Sequence, residues 1–378
     1  MVRKRKSGAV LAVADEPMSS NPYICHSCKR CARKRKTRYL PQDIVFQFLS
    51  RLPAQLLHDV VRHVCREWSL VIRSPNFIHH HLRNSTGGLI VQDQHSPRNG
   101  FYVEMRRGCL EICNFDCGFD GLVWSSCNGL VVFSALNNFN TLYVSNPLTK
   151  QKTNLPPYRT RKGDYSALGI ALVEASMKYK VVHARGKYFF PNQIAVLTIG
   201  LDKVWRHINV KHLLLPNESL VICWPLVTGG YVHWMSEYIV LTLNVETEIV
   251  RRFPVPPIPN VRGKYLAMDS HLSFVYNSDE CHMDVWQMNS ITGEWTLLLS
   301  FDSKPLIHTF KGMFPEFSNS VRPLCWLVAR KVLVFSDDLD RRCWIAYDVK
   351  ASLVQLFEFN KDESYHFRAH VNSLVWLK

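Results

Sequence analysis

Residues 40–82, LPQDIVFQFLSRLPAQLLHDVVRHVCREWSLVIRSPNFIHHHL, place apolar side chains at intervals of three and four positions. This is the spacing of amphipathic helices. The apolar positions fall into three groups: Ile44, Val45, Phe48 and Leu49; Leu56, Leu57, Val60, Val61 and Val64; Trp68, Val71 and Ile72. Pro41 suits the first turn of a helix, Pro53 separates the first group from the second, and Ser74-Pro75 ends the third. The stretch therefore predicts three short helices.

Three helices of this size cannot bury all of these apolar side chains among themselves. A unit of about 45 residues is close to the lower size limit for independent folding. The helices could present the remaining apolar surface to a partner protein. They could also pack it against the domain that follows in the chain. The residues alone leave both arrangements open.

The same stretch resembles an F-box, the helical module that binds the Skp adaptor of SCF ubiquitin ligases. The matching residues occur in the family's order: Leu40-Pro41, Asp43, Ile44, Leu49-Ser50-Arg51-Leu52-Pro53, Leu56, Leu57, Val64-Cys65, Trp68, Ile72, Pro75 and Phe77. The interval from Pro53 to Val64 is one residue longer than in the family, and one residue turns a helix by about 100°. The resemblance implies that these residues bind the adaptor: Leu40, Pro41, Ile44, Leu49, Leu52, Pro53, Leu56, Leu57, Val64, Cys65 and Trp68.

After residue 87 the apolar residues recur at every second position, which predicts β-strands. One type of turn recurs five times, at Asn146, Gly200, Asn244, Asn289 and Asp348, and its intervals of 44 to 59 residues are typical of propeller blades. Strand-like runs are left over at 88–91, 101–105, 110–113 and 370–377. Because propellers commonly build one blade from both termini, we predict a six-bladed β-propeller. An irregular pair of β-sandwiches is the alternative.

Parts of this region resemble the F-box-associated domain that follows many plant F-boxes. They are Asn128-Gly129-Leu130-Val131 and the run 143–150, which contains Asn146-Pro147; the run 229–231 also resembles the double glycine of kelch repeats. The expected organisation is α+β and multidomain, with a basic tail at 1–38, a three-helix F-box at 39–83 and an all-β, kelch-like propeller at 87–378. The two resemblances imply a non-catalytic subunit of an SCF-type ubiquitin ligase.

Such a subunit would bind a Skp-type adaptor, and through it a cullin ligase, while the β domain recruits a protein substrate for ubiquitination. Recognition is expected where loops gather on one face of the propeller. The candidate loops are 158–164, 185–192, 256–264 and 303–319, although the sequence identifies no substrate-binding residue. A scaffold that binds the adaptor without directing degradation is an alternative.

The chain carries 46 Lys and Arg against 31 Asp and Glu, a formal net charge of +15. The first 38 residues hold eleven of the basic residues and two of the acidic ones, which predicts an extended tail. The cluster Arg33, Lys34, Arg35 and Lys36 is typical of a nuclear-localisation signal, so we expect the nucleus, the cytoplasm or both. A nuclear protein that binds nucleic acid or another polyanion through this tail is the rival interpretation. The rest of the chain, residues 39–378, carries nearly equal numbers of basic and acidic residues, which argues against specific nucleic-acid binding.

Cys25, Cys28 and Cys31 form a C-x2-C-x2-C run within the tail. A C-x2-C pair is half of many zinc sites, but no second pair follows at the usual distance, so we expect no metal. The twelve Cys lack the dense spacing of a secreted disulfide framework, which indicates a reducing compartment. Motifs of nucleotide-binding, hydrolase and metalloprotease sites are absent, as are apolar runs near the ~18 residues of a membrane span. We expect no catalytic residue, cofactor or membrane contact.

Overall fold

A computed structural model shows a group of helices followed by a six-bladed β-propeller, which confirms the predicted fold class. The structure describes residues 40–85, 87–93, 96–98, 100–106, 109–113, 119, 121–136, 138–158, 165–187, 190–213, 221–258, 263–313, 321–337, 343–358 and 365–377. Residues 45–378 form one compact unit. Among the described helices, none has the length and hydrophobicity needed to cross a membrane.

The helical segment at 40–84 contains four α-helices, one more than the three expected. They are α1 (Gln42–Leu49), α2 (Ala54–Asp59), α3 (Arg66–Arg73) and α4 (Pro75–Asn84), with a 3-10 turn at Val61–His63. Pro75 follows the end of α3 and occupies the first position of α4. A proline is tolerated there because it lacks only a backbone N–H that the first turn of a helix leaves unbonded. The Ser74 hydroxyl caps α4 by accepting a hydrogen bond from the Phe77 backbone N–H at 3.3 Å.

The interval between Pro53 and Val64 does not form one continuous helix. Helix α2 ends at Asp59, and Val60 adopts a non-helical backbone with φ −123° and ψ −59° before the 3-10 turn begins. The interval that contains the extra residue is therefore interrupted at Val60. One extra residue would turn everything after it by about 100° only if a continuous helix ran from Pro53 into α3, and no such helix is present.

Twenty-four strands lie in the described part of the propeller. The first twelve are β1 (Gly88–Asp93), β2 (Gly100–Arg106), β3 (Cys109–Cys113), β4 (Gly121–Cys127), β5 (Leu130–Ala135), β6 (Asn138–Asn146), β7 (Gln151–Asn154), β8 (Tyr165–Val173), β9 (Lys178–Lys187), β10 (Phe190–Thr198), β11 (Arg206–Ile208) and β12 (Val221–Thr228). The next seven are β13 (Tyr231–Met235), β14 (Ile239–Asn244), β15 (Ile249–Pro254), β16 (Gly263–Met268), β17 (His271–Asn277), β18 (His282–Met288) and β19 (Trp295–Asp302). Helix α5 (Lys304–Met313) precedes β20 (Val321–Val328), β21 (Val332–Asp337), β22 (Cys343–Asp348), β23 (Leu353–Glu358) and β24 (Tyr365–His370), and a second 3-10 turn occupies Lys211–Leu213.

The strands form six antiparallel sheets of four, each sheet being one blade. Blade 1 has the order β24-β1-β2-β3, and blades 2 to 6 contain β4–β7, β8–β11, β12–β15, β16–β19 and β20–β23. Strands β4, β8, β12, β16, β20 and β24 contact one another in a closed ring, so they are the innermost strands.

The last strand closes the ring by pairing with the first, as predicted. Strand β24 pairs with β1 in antiparallel register from Gly88 opposite His370 to Asp93 opposite Tyr365. The expected strand at 370–377 is wrong in position, because the strand ends at His370 and residues 371–377 have no regular structure. Those last residues instead contact blade 2 and the helical segment.

The recurring turn predicted from the sequence has one geometry at four of its five positions. The side-chain oxygens of Asn146, Asn244, Asn289 and Asp348 each accept hydrogen bonds from the backbone N–H groups two and three residues later. The residue four positions later adopts a positive φ in every case: Lys150, Glu248, Gly293 and Ser352. A short polar side chain is needed at the first position because it substitutes for backbone hydrogen bonds.

Candidate functional site

The helical segment exposes an unusual share of the apolar side chains. Sixteen large apolar residues are exposed among the described residues, and seven of them lie between residues 40 and 70. Five belong to the part of the segment inside the compact unit: Phe48, Leu56, Val60, Val64 and Leu70. Exposed apolar groups concentrated in one short segment usually mark a protein-interaction surface. We call these five residues the apolar helical surface.

The opposite face of the same helices is buried. Leu57 is 0% exposed, whereas its neighbour Leu56 is 41% exposed. The buried side chains form one cluster that also includes two residues of the propeller domain, Leu148 and Leu374: Leu49, Ala54, Leu57, Val61, Ile72 and Phe77. Packing against the following domain, one of the two arrangements left open by the sequence, therefore occurs on one face of the helices, and the other face is exposed to solvent.

The C-terminal segment, residues 371–377, connects the helices to blade 2. The Asn146 side-chain amide donates hydrogen bonds to the backbone carbonyls of Ser373 (3.0 Å) and Val375 (2.8 Å). The Ser373 hydroxyl donates to the Asn128 carbonyl at 2.6 Å. These bonds place Leu374, which is buried, in the cluster beneath the helices. The segment thus fixes the helices of residues 45–84 against the propeller.

Polar contacts also hold the helices in place. The His81 ring donates a hydrogen bond from Nε2 to the Leu52 carbonyl at 2.8 Å, which joins α4 to the turn before α2. Burial lowers the pKa of His81, so its ring is neutral at physiological pH. The Cys65 sulfur accepts a hydrogen bond from the Trp68 backbone N–H at 3.4 Å and caps α3. The Trp68 ring lies 6.3 Å from the Phe48 ring, centroid to centroid.

The residues predicted to bind the adaptor are not equally accessible. The exposed ones are Leu40, Pro41, Ile44, Pro53, Leu56 and Val64; Leu52, Cys65 and Trp68 are half-buried; Leu49 and Leu57 are buried. The exposed Phe48, Val60 and Leu70 were missing from that prediction. The available signal was the recurrence of apolar residues at Leu56, Val60 and Val64, four positions apart, which predicts one helix face, although the helix itself ends at Asp59. The assignment of all these residues to adaptor binding stays a prediction.

Several features predicted for the tail and the loops either fall outside the described residues or form regular secondary structure. The nuclear-localisation candidate Arg33–Lys36 and the run Cys25, Cys28 and Cys31 fall outside the described residues. In the part of the chain that is described, no group of three or more His, Cys, Asp or Glu side chains could hold a metal ion. Of the candidate recognition loops, 158–164 and 256–264 are only partly described, and 185–192 overlaps strands β9 and β10. Most of the fourth forms helix α5 rather than a loop.

Three buried histidines belong to the propeller core. Burial lowers the pKa of His183 and of His233 to about 3, and that of His370 to about 4. His233 lies between two threonine hydroxyls, with Nε2 2.7 Å from Thr228 and Nδ1 2.9 Å from Thr242. These rings are neutral at physiological pH, and the contacts of His233 indicate a packing role rather than acid–base chemistry.

The innermost strands line two cavities of about 360 Å³ each. One contains residues near the starts of β16, β20 and β24, including Lys264, Arg322 and Arg368. The other lies at the opposite ends of these strands and includes Glu174 and Asp269. The two mouths of the propeller therefore differ in the sign of the charges that line them.

Comparison with known proteins agrees with this architecture. Residues 118–377 match the F-box associated beta propeller domain. The chain belongs to this family. It is a plant-type F-box protein with an F-box-associated β domain, which confirms the resemblance recognised in the sequence.

Similar proteins come from Arabidopsis thaliana. F-box protein At3g07870 is 27% identical over 395 residues, which cover 89% of this chain and 92% of that protein. F-box protein At5g49610 is 24% identical over 311 residues, covering 74% and 84%. F-box/kelch-repeat protein At3g61590 is 29% identical over 149 residues, covering 36% and 34%.

Proposed function

We propose that this F-box protein is the substrate-recognition subunit of an SCF-type ubiquitin ligase. In this role the helical segment binds a Skp-type adaptor, which connects to a cullin ligase, and the propeller binds a protein substrate. The family membership supports an SCF role for the chain at the level of the family. The observation that carries the proposal is the apolar helical surface, which the fold leaves uncovered while it buries the opposite face of the same helices.

The physical basis of adaptor binding is the burial of this surface. Each large apolar side chain transferred from water contributes roughly 1.5–3 kcal/mol when it becomes fully buried. Phe48, Leu56, Val60, Val64 and Leu70 are each between 41% and 61% exposed, so a partner can bury additional apolar area on all of them. Only part of this gain becomes affinity, because association costs translational and rotational freedom.

The proposed role requires no catalytic residue in this chain. A subunit that holds a substrate next to a ligase raises the effective concentration of the two reactants. Rigid attachment of the helices to the propeller favours a high effective concentration, because it keeps the distance between the adaptor site and the substrate site constant. The hydrogen bonds of Asn146 to residues 373 and 375, and the packing of Leu374, supply such an attachment.

Titration calorimetry with a purified Skp-type adaptor tests the adaptor-binding part. Val64→Asp should weaken binding by tenfold or more, because it places a charge in a surface that becomes buried. The matched control is Ile291→Asp, since Ile291 is 63% exposed and Val64 is 59% exposed, and Ile291 lies in a propeller turn. The control should bind as the wild type does. Equal affinities for both variants, or no binding by the wild-type chain, would overturn the proposal.

A further inference from the structure

The propeller cavity at the starts of β16, β20 and β24 carries an excess of positive charge. Its lining includes Lys264, Arg322 and Arg368, together with His366, and contains no Asp or Glu among the described residues. Lys264 and Arg322 are half-buried, so both residues keep some exposure to solvent. The cavity of about 360 Å³ lies within the range of ligand pockets.

Arg368 contributes a third charge, and this residue is also half-buried. Its guanidinium donates hydrogen bonds to the backbone carbonyls of Trp124 (2.9 Å) and Phe367 (2.6 Å), which are neutral groups. Burial lowers the pKa of Arg368 to about 10, which still leaves it protonated at neutral pH. A charge held in a poorly hydrated site interacts more strongly with an incoming anion than a charge in water.

Carboxylates do occur near this cavity, but they belong to neighbouring strands. Asp93 lies opposite Tyr365 in the register of β1 and β24, and Asp337 lies opposite Val321 in that of β20 and β21. Both side chains are buried. Among the described residues at this mouth, three cations against these two acids leave positive charge in excess. The cavity at the other end of the strands includes Glu174 and Asp269 and does not share this excess.

Five aromatic side chains also line the cavity. They are Trp124, Tyr265, Trp344, Tyr365 and Phe367. The Trp344 ring packs edge-on against Phe367 at 3.9 Å and against Tyr365 at 5.4 Å, so these rings are held in fixed orientations. Rigid aromatic groups with charged groups between them are typical of peptide-binding surfaces, because they gain contact area at low entropic cost.

We infer that this mouth of the propeller binds an acidic peptide segment of the recruited substrate, with Lys264 and Arg322 pairing with its carboxylates. The inference rests on the proposed function, because it assigns the substrate class to the propeller of an SCF subunit. It requires charge complementarity at this mouth, and it predicts no role for the opposite one.

The test uses the full-length chain bound to its adaptor and a phage-displayed library of random peptides as the probe. Peptides selected on the wild-type complex are synthesised and titrated against Lys264→Gln/Arg322→Gln. The matched control is Arg330→Gln/Lys350→Gln, which removes the same charge from two exposed positions outside the cavity lining. Arg368 is left unchanged because its hydrogen bonds also contribute to the fold.

The expected result is enrichment of Asp and Glu in the selected peptides and affinity at least tenfold weaker for the cavity variant. The control should stay within about twofold of the wild type, and higher salt should weaken binding. Selected peptides without acidic enrichment, equal affinity for both variants, or a library that yields no binder would overturn the inference. Adaptor affinity measured on the same variants separates this failure from failure of the proposed function.

Discussion

Replacing Asn146 by Asp should release the C-terminal segment from blade 2, whereas the same change at Asn289 should not. Both residues occupy the recurring turn and accept backbone hydrogen bonds two and three residues on. Asp348 occupies an equivalent turn naturally, so a carboxylate preserves that geometry. Asn146 differs because its amide also donates to the carbonyls of Ser373 and Val375.

The magnitude follows from those two donated bonds. Asn146 is 1% exposed, and an Asp there would leave two buried carbonyl oxygens without a donor, at a cost of roughly 1–3 kcal/mol each. Burial would favour the protonated acid, which can donate to one of them. We therefore expect a net loss of about 2–3 kcal/mol in the stability of the docked segment.

Hydrogen exchange measured by mass spectrometry on peptides that cover residues 371–378 detects this loss. A loss of about 2–3 kcal/mol corresponds to exchange roughly 30- to 150-fold faster in Asn146→Asp. Asn289→Asp should exchange within about twofold of the wild type in the same peptides. If both variants behave alike, Asn146 does not hold the segment, and the argument for a fixed attachment of the helices is wrong.

Three other outcomes are expected. Gly293→Ala should lower the free energy of unfolding by about 2–3 kcal/mol in urea titrations, because Gly293 has φ +79° and an added Cβ would overlap the Phe253 ring. Gly312→Ala is the matched control and should be neutral or stabilising, since Gly312 lies in α5 with nothing within 4 Å of its Cβ position; equal losses would contradict the account. Stability should fall as the pH drops below about 6.5, because His183, His233 and His370 have folded pKa values of about 3, 3 and 4 and the unfolded chain takes up protons first. At pH 5 each histidine should lower the free energy of unfolding by about 2 kcal/mol. Equal urea midpoints at pH 7 and pH 5 would be inconsistent with neutral buried rings. Replacing Arg33, Lys34, Arg35 and Lys36 by Gln should lower the nuclear fraction of a fluorescent fusion in plant cells. An unchanged distribution would show that this cluster is not a nuclear-localisation signal.

The repeat was predictable because its turns have a local chemical requirement. Asn146, Asn244, Asn289 and Asp348 each substitute for backbone hydrogen bonds, and any chain with this geometry needs a short polar residue there. At the fifth position, Gly200 has no side chain that could accept such bonds, so the sequence there predicts a turn but not this geometry. Closure of the ring by β24 and β1 also followed from the sequence, since leftover strands at both ends would otherwise leave exposed edges.

The helical surface could not be predicted to the same level. Periodicity identifies Leu56 and Leu57 as apolar positions of one helix, but not which of them faces solvent. That choice depends on Leu148 and Leu374, which lie 91 and 317 positions beyond Leu57 in the chain. The C-terminal segment was mistaken for a strand for a related reason: its apolar residues pack on the helices and blade 2, and alternation alone does not distinguish this from strand pairing.

Hydrogen exchange of the full-length chain, with and without saturating Skp-type adaptor, locates the adaptor-binding surface. We predict slower exchange in peptides covering residues 45–70, where Phe48, Leu56 and Val64 are exposed in the unbound chain. Peptides from the blades should exchange at the same rate in both states. Protection confined to the propeller, or no protection at saturating adaptor, would contradict the assignment of the helical segment as the adaptor site.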